Sequence, residues 1–272
     1  MDDLPDGHFR HLIFPYTGKV THVRVPKRGF GSDFAAVIDS EKGRFFVKSM
    51  FNHPGGRKDS ILREQAINPY VQPLSPALLW TVDEDDAGWI ILGFEAIEER
   101  GLNFEPGSPD LPLAVDLLNR AANLGLPDVA RDWTEERWDA YVSSADELAL
   151  LRGDALLHTD INPSNLTAGV GGVGSWIIDW SWPTRGPGFI DPACLVVQLI
   201  SAGHSPESAE SWAAKCTAWA NADPKAIDVF AVATTRMNRA IAERYPDEAW
   251  RGAMAEAAQA WVDHRGIAQA EL

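Results

Sequence analysis

Apolar and polar positions alternate with a period of two along much of the first hundred residues and switch to helical spacing afterwards. Residues 9–50 read as a succession of short strands. His22-Val-Arg-Val25 alternates, Pro26 to Gly31 is a turn, Phe34 to Ile38 is apolar, Ser40 to Gly43 is a second turn, and Arg44 to Met50 is a third strand. These segments predict an antiparallel meander. Within Phe45-Phe-Val-Lys-Ser-Met50, alternation places Phe46 and Lys48 on one face and Phe45 and Val47 on the other. Ser60 to Asn68 reads as a short helix, capped by Asp59 or Ser60 and ending before Pro69. Leu74 to Leu79 leads into Trp80-Thr-Val-Asp83, an acidic hairpin tip follows to Gly88, and Trp89 to Phe94 is an apolar strand.

A polar connector, Glu95 to Gly101, separates this strand-rich part from a helix-rich one, so the predicted boundary divides residues 1–97 from 98–272. Helical periodicity covers Asp110 to Gly125, and a further helix is predicted from Thr134 as N-cap, with Glu135, Glu136 and Trp138 behind it. Trp176 to Ile178 reads as a short buried strand and Ser181 to Gly188 as a loop. Ile190-Asp-Pro192 opens an apolar helix to Ala202, and three more helices are predicted at roughly 206–220, 224–243 and 247–264. Their Trp212, Trp219, Trp250 and Trp261 are expected in the core or a pocket wall. Internal repeats and low-complexity tracts are absent.

The 272 residues are 45% apolar and 23% charged, the composition of an ordinary globular protein. The first residues lack the features of a signal peptide and no apolar run approaches a membrane span, so a cytoplasmic location is expected, with no membrane partner. The two cysteines, Cys194 and Cys216, show no disulfide framework or metal-ligand spacing and are expected to be buried small residues. A net charge of −15 argues against nucleic acid as a partner, since phosphate backbones call for a basic face. Residues 1–98 carry −3 of that charge and residues 99–272 carry −12. Such a field steers cationic ligands toward the second half, although net charge bears on solubility and encounter before specificity.

Candidate chemistry concentrates in His158-Thr-Asp-Ile-Asn-Pro-Ser-Asn165 and in Asp179 at the end of an apolar strand. Asn165 and Asp179 are two hard oxygen ligands suited to Mg²⁺, which leave it room for waters and nucleotide phosphates. Asp160 is then free to accept a proton from a hydroxyl nucleophile. Lys48 is either a solvent-facing lysine or one that reaches phosphates, with Glu64 as its carboxylate partner. The turn at Gly29-Phe-Gly31-Ser32 is either an ordinary hairpin turn or a phosphate contact. His158 is either a metal ligand of a phosphoesterase centre or a brace of its loop. The other histidines lack ligand spacing, which favours the brace.

Taken in order, Lys48, Glu64, Asp160, Asn165 and Asp179 resemble the constellation of the protein-kinase-like fold. In detail, His158 to Asn165 is similar to the H-G-D-x-x-x-x-N loop of the aminoglycoside phosphotransferase family, and Ile177-Ile-Asp-Trp180 to its metal strand. Thr159 stands where that pattern has Gly, a change expected to alter only the loop backbone. Ile190-Asp-Pro-Ala193 resembles the family's G-D-P-x-x-D-L segment, with Ile190 and Leu195 departing from it. The resemblance spans about residues 20–265. It implies an α+β, bilobal protein-kinase-like fold: an antiparallel-sheet N-lobe with one helix, which binds nucleotide, and a mainly helical catalytic and substrate-binding C-lobe. It further implies ATP- and Mg²⁺-dependent phosphoryl transfer to a hydroxyl of a small, possibly cationic molecule, an aminoglycoside-type antibiotic foremost. In that reading Lys48 holds phosphates, Glu64 orients Lys48, Asn165 and Asp179 hold Mg²⁺, Asp160 takes the hydroxyl proton, backbone groups of Glu95 and Ile97 meet adenine, and Ser32 contacts a phosphate. The same chemistry on another antibiotic class, an amino alcohol, a sugar, a nucleoside or a peptide serine is the nearer alternative. A nucleotide-binding pseudokinase is the further one.

Overall fold

Two units, each with its own strands and helices, make up the computed structural model, which describes residues 4–25, 32–84 and 88–267. The first comprises the chain up to Glu99 together with Gly169–Gly172 and Ile178–Trp182. Its centre is a five-stranded antiparallel sheet of β1 (Val20–Arg24), β2 (Phe34–Ser40), β3 (Gly43–Phe51), β4 (Leu78–Asp83) and β5 (Trp89–Glu95), in the order β1-β2-β3-β5-β4. Ala35 pairs with Lys48 across β2 and β3, and Lys48 with Leu92 across β3 and β5. The β2–β3 turn reverses at Gly43, whose φ of 134° suits glycine.

Alternation along β3 sorts its side chains as the sequence predicts. Phe45 and Val47 join Phe9, Ile13, Ala36, Ile38, Trp80, Trp89 and Ile91 in one apolar cluster. On the opposite face Met50 joins Ile61, Ile90, Leu92 and Phe94, with Phe46 and Leu62 packed against them. Strand β5 feeds both clusters, which is why it reads as a continuous apolar run.

Each face has its helix. Helix α1 (Gly7–Thr17), capped by Asp6 Oδ1 accepting the N–H of Phe9 at 2.7 Å, stands where the sequence pattern predicts a strand. Its Phe9 and Ile13, four residues apart, are the buried pair that anchors it. Helix α2 (Gly56–Val71) buries Ser60, Ile61, Glu64, Ile67, Asn68 and Val71. It exceeds the predicted 60–68 at both ends: Gly55 is its N-cap, and Pro69 lies inside the last turn. That end is secured by Asn68, whose amide donates to Pro76 O at 2.8 Å and accepts the N–H of Leu78 at 2.8 Å. The predicted turn at 26–31 and the tip of the acidic hairpin, 85–87, lie outside the described residues.

The second unit contains Arg100–Ala168, Val173–Ile177 and Pro183–Leu272. Short strands frame its loops: β6 (Glu99–Gly101), β8 (Leu166–Gly169) and β9 (Ser175–Ile177) form one sheet, and β7 (Ala155–Leu157) pairs with β10 (Thr184–Gly186) in another. Strand β10 lies within the segment predicted to be a loop. The helices are α3 (Leu111–Ala122), α4 (Ala145–Leu150), α5 (Ile190–Ser201), α6 (Pro206–Ala213), α7 (Thr217–Ala220), α8 (Pro224–Arg244) and α9 (Ala249–His264). Helix α5 is buried along most of its length, as its apolar composition requires. The helix predicted at 206–220 is broken into α6 and α7.

Three expectations need correction here. Thr134 caps no helix: it forms an isolated parallel bridge with Arg185, and Glu135 is buried as an acceptor for Arg137 and Thr184. Those long-range partners outweigh the local capping pattern. Trp261 is fully buried and donates to Glu210 Oε1 at 2.7 Å, but Trp250 is 59% exposed and belongs to no core. Cys216 is buried while Cys194 is only partly so, and both are free thiols. Among the described residues no helix is long and apolar enough to cross a membrane.

Candidate active site

In the sheet unit Lys48 is the hub. It projects from β3 on the face covered by α2 and is only 8% exposed. An ammonium has three N–H donors, and three oxygens surround this one: Glu64 Oε2 at 2.7 Å, Asp179 Oδ1 at 2.7 Å and Ser181 Oγ at 2.8 Å. Glu64 arrives from the buried stripe of α2. Asp179 follows β9 with a φ of 62°, a left-handed conformation uncommon outside glycine but accessible to Asp. Ser181 Oγ also lies 2.5 Å from Asp179 Oδ1 and 3.2 Å from Glu64 Oε2, so its one proton is shared between two carboxylates.

One ammonium against two carboxylates leaves this cluster with an excess negative charge. Burial alone would push Lys48 down, but the attraction of Glu64 and Asp179 outweighs it and holds the ammonium above its ordinary range. Burial pushes the Glu64 carboxyl up, Lys48 opposes that, and repulsion from Asp179 adds to it. The two carboxylates thus raise Lys48, whereas Glu64 is raised chiefly by its own burial, with Asp179 adding to it.

In the helical unit the segment after β7 is held from several sides. His158 is buried, and its Nδ1 accepts the N–H of Asp160 at 3.2 Å. The two carboxylate oxygens of Asp160 are gripped by two amides: Asn162 Nδ2 donates to Oδ1 at 3.0 Å and Asn165 Nδ2 to Oδ2 at 2.8 Å. Asn162 Oδ1 in turn accepts the N–H groups of Ser164 and Asn165 at 2.8 and 3.1 Å, which fixes the turn. Asp160 itself is exposed, a carboxylate oriented by protein and open to solvent. Buried Asp191, at the start of α5, accepts the N–H of His158 at 2.9 Å and of Thr159 at 2.7 Å. Burial raises its carboxyl even so, the two backbone donors opposing.

Thr159 and Asp179 are the only non-glycine residues with positive φ among the described residues, the first beside Asp160 in the helical unit and the second beside Lys48 in the sheet unit. Thr159 does more than alter the backbone: its hydroxyl donates to His158 O at 2.6 Å and meets Arg137 Nη2.

Each unit carries an oxygen donor of the kind that suits a hard divalent cation. Asn165 spends its amide N–H groups on Asp160, so its carbonyl oxygen Oδ1, which accepts nothing from a described residue, is the neutral ligand it can offer. Asp179 offers an anionic one. No group of three or more His, Cys, Asp or Glu side chains among the described residues forms a metal cage. An amide carbonyl or a single carboxylate, taken by itself, is a donor of the type Mg²⁺ accepts alongside waters and phosphate oxygens.

The other sequence candidates stand apart. Ser32 precedes β2 and has no hydrogen bond to Lys48, Glu64 or Asp179 among the described residues. Gly29 to Gly31 of the same turn lie outside those residues. Glu95 ends β5 with its N–H donated to Ala77 O at 2.8 Å, so any contact to a base falls to its carbonyl. Ile97 lies in the irregular connector just beyond. Sequence reasoning missed Ser181, Asn162 and Arg137, and quoted Asp191 within a motif without giving it a role. Only the Pro-containing turn and the Asp-Pro pair hint at two of them.

No protein-family model matches the chain, and no curated protein matches it in sequence. Solved structures do. Choline kinase LicA from Streptococcus pneumoniae superposes with a TM-score of 0.65 at 12% identity, covering 94% of this chain and 98% of that one. The complex of spectinomycin phosphotransferase APH(9)-Ia with ADP and spectinomycin gives 0.59 at 12% identity, covering 96% and 95%. Macrolide 2'-phosphotransferase MphH from Brachybacterium faecium gives 0.54 at 14% identity, covering 91% and 96%. The chain has the protein-kinase-like fold, with an antiparallel-sheet N-lobe and a helical C-lobe.

Proposed function

We infer that this protein is a small-molecule kinase that transfers the γ-phosphoryl group of ATP, with Mg²⁺, to a hydroxyl of a cationic acceptor, an aminoglycoside-type antibiotic foremost. The observation that carries this reading is the convergence on Lys48 of Glu64 and of Asp179, a residue 131 positions further along the chain. A buried ammonium held by a helical carboxylate is a phosphate anchor, and an Asp beside it supplies an anionic metal ligand. Phosphoryl transfer asks for little else than placement and charge neutralisation.

In this reading Lys48 donates to the α- and β-phosphates and Glu64 keeps it in place. Asn165 and Asp179 hold Mg²⁺, which would neutralise charge on the phosphates. Asp160, oriented by Asn162 and Asn165, accepts the hydrogen bond of the acceptor hydroxyl, aims its oxygen at phosphorus and takes its proton. The carbonyl of Glu95 and the backbone of Ile97 meet the base, and Ser32 is a further phosphate contact. Acidic residues of the second half, −12 over 99–272, suit an acceptor with ammonium groups. Structural neighbours that bear the names of spectinomycin and kanamycin complexes support the antibiotic. A second reading, an amino alcohol as acceptor, is favoured by the choline kinase match and its TM-score of 0.65.

The test is direct. Purified protein with ATP and Mg²⁺ is offered aminoglycosides, spectinomycin, macrolides and amino alcohols while ADP release is followed. Turnover with an aminoglycoside supports the first reading, turnover with amino alcohols alone transfers the role to the second, and silence across the panel overturns both. D160N should lower kcat on the order of 10²–10⁴-fold while leaving nucleotide affinity nearly intact. Normal turnover by D160N would remove Asp160 from the mechanism.

A further inference from the structure

Thr159 is a β-branched residue held at a φ of 65°, where a Cβ is disfavoured and glycine is the usual occupant. Such a conformation persists only when the surroundings over-determine it. Here they do. Its N–H goes to Asp191 Oδ1 at 2.7 Å, its carbonyl accepts from Cys194 Sγ at 3.8 Å, and its hydroxyl donates to His158 O at 2.6 Å. The remaining contact comes from Arg137, whose Nη2 donates to Thr159 Oγ1.

Arg137 is itself preorganised. Buried Glu135 takes its Nε at 3.1 Å, its Nη2 at 2.7 Å and its backbone N–H at 2.8 Å, and Glu135 is fixed in turn by the Thr184 hydroxyl at 2.6 Å. The guanidinium also lies 5.4 Å from the centre of the Trp138 ring. This planar fork can present a donor to Thr159 at little further entropic cost.

We propose that Arg137 is the positioning residue of the loop that carries Asp160: with Glu135 behind it, it locks Thr159 in the left-handed conformation and so fixes the direction in which the next residue, Asp160, leaves the backbone. The inference rests on the reading of Asp160 as the residue that orients the acceptor hydroxyl. A glycine at this place would reach the same conformation unaided, so the lock is needed only because the residue is Thr.

The experiment compares R137A in the natural chain and in a T159G background, by steady-state kinetics on an acceptor that the protein turns over and by amide hydrogen exchange of residues 156–166. In the natural chain R137A should lower kcat on the order of 10- to 100-fold, the scale of a misplaced reacting group, with the KM for ATP little changed. It should also speed exchange at the Thr159 and Asp160 amides on the order of tenfold. In the T159G background the same substitution should cost less than about threefold in kcat and leave exchange unchanged, because glycine does not need the lock. R137A strands the Glu135 charge, so E135Q/R137A, which removes both charges, must loosen the loop in the same way. Equal losses in the two backgrounds, or exchange that R137A does not move, would overturn the proposal. Should no acceptor be turned over by the natural chain, the kinase reading fails, and the exchange comparison still decides the lock.

Discussion

Removing Lys48 and removing Glu64 should differ, and the structure says by how much. In E64Q the ammonium keeps Asp179 and Ser181 at 2.7 and 2.8 Å, and the new amide oxygen can still accept a hydrogen bond. The loss is that of weakening one charged hydrogen bond, about 1–2 kcal/mol. In K48M a carboxylate that is 6% exposed loses the one cation paired with it among the described residues and retains Ser181 at 3.2 Å, with the charge of Asp179 still acting on it. Breaking a buried pair from that side costs about 3–5 kcal/mol, on the order of a 10 °C fall in melting temperature. The pH dependence separates the two further. Burial and Asp179 already hold the Glu64 carboxyl above its ordinary value, and deleting Lys48 raises it more. A carboxyl raised on folding binds a proton that the unfolded chain has released above about pH 4.3, so stability falls as pH rises from there through the folded value. Lys48, held high, contributes steadily across this range and loses its contribution only in strong alkali. The deficit of K48M against the natural protein should therefore widen between about pH 5 and about pH 8. Thermal and denaturant unfolding followed by tryptophan fluorescence at both pH values is the assay. A K48M deficit no larger than that of E64Q, or one that narrows with rising pH, would refute the reasoning.

Other outcomes follow from single contacts. Asp191→Ala removes the buried carboxylate that accepts the N–H groups of His158 and Thr159 and should cost about 2–5 kcal/mol in unfolding free energy, with Asp191→Asn intermediate because it keeps one acceptor oxygen. Gly93→Ala would set a methyl 2.0 Å from the Trp80 ring, and should destabilise by about 1–3 kcal/mol or more in the same melts. Asp179→Ala should leave nucleotide binding, measured by calorimetry with and without Mg²⁺, insensitive to the metal. Retained Mg²⁺ dependence would transfer the ligand role to another residue.

How far the sequence reaches is set by the range of the interactions. Phe46 and Lys48 share a face because a strand's period is two, a rule that needs no partner, and the apolar run of β5 needs only burial on both sides. Helix α1 escaped because its stabilising pair, Phe9 and Ile13, faces aromatic residues of later strands, with Phe9 5.2 Å from Phe34 and 5.1 Å from Trp89. The N-cap pattern at Thr134 failed for the converse reason: Thr184 and Arg185, some fifty residues on, occupy the same groups first.

The same distinction runs through the site. Asp160 and Asn165 are legible together because the loop that joins them is short and the amide of one reaches the carboxylate of the other. Glu64 is legible from Lys48 because a helix follows the strand on the face where the lysine points. Ser181 and Arg137 are ordinary residues in ordinary local contexts, and Asp191 is marked only by its motif; all three acquire their roles from contacts with residues 133, 22 and 32 positions away, respectively. Thr159 marks the limit of motif reading. Against a pattern with glycine it looks like a tolerated departure, yet a β-branched residue at a φ of 65° demands support from outside the loop. That demand makes Arg137 and Glu135 part of the loop in every respect but sequence position, and a substitution in either should be felt at Asp160 before it is felt elsewhere.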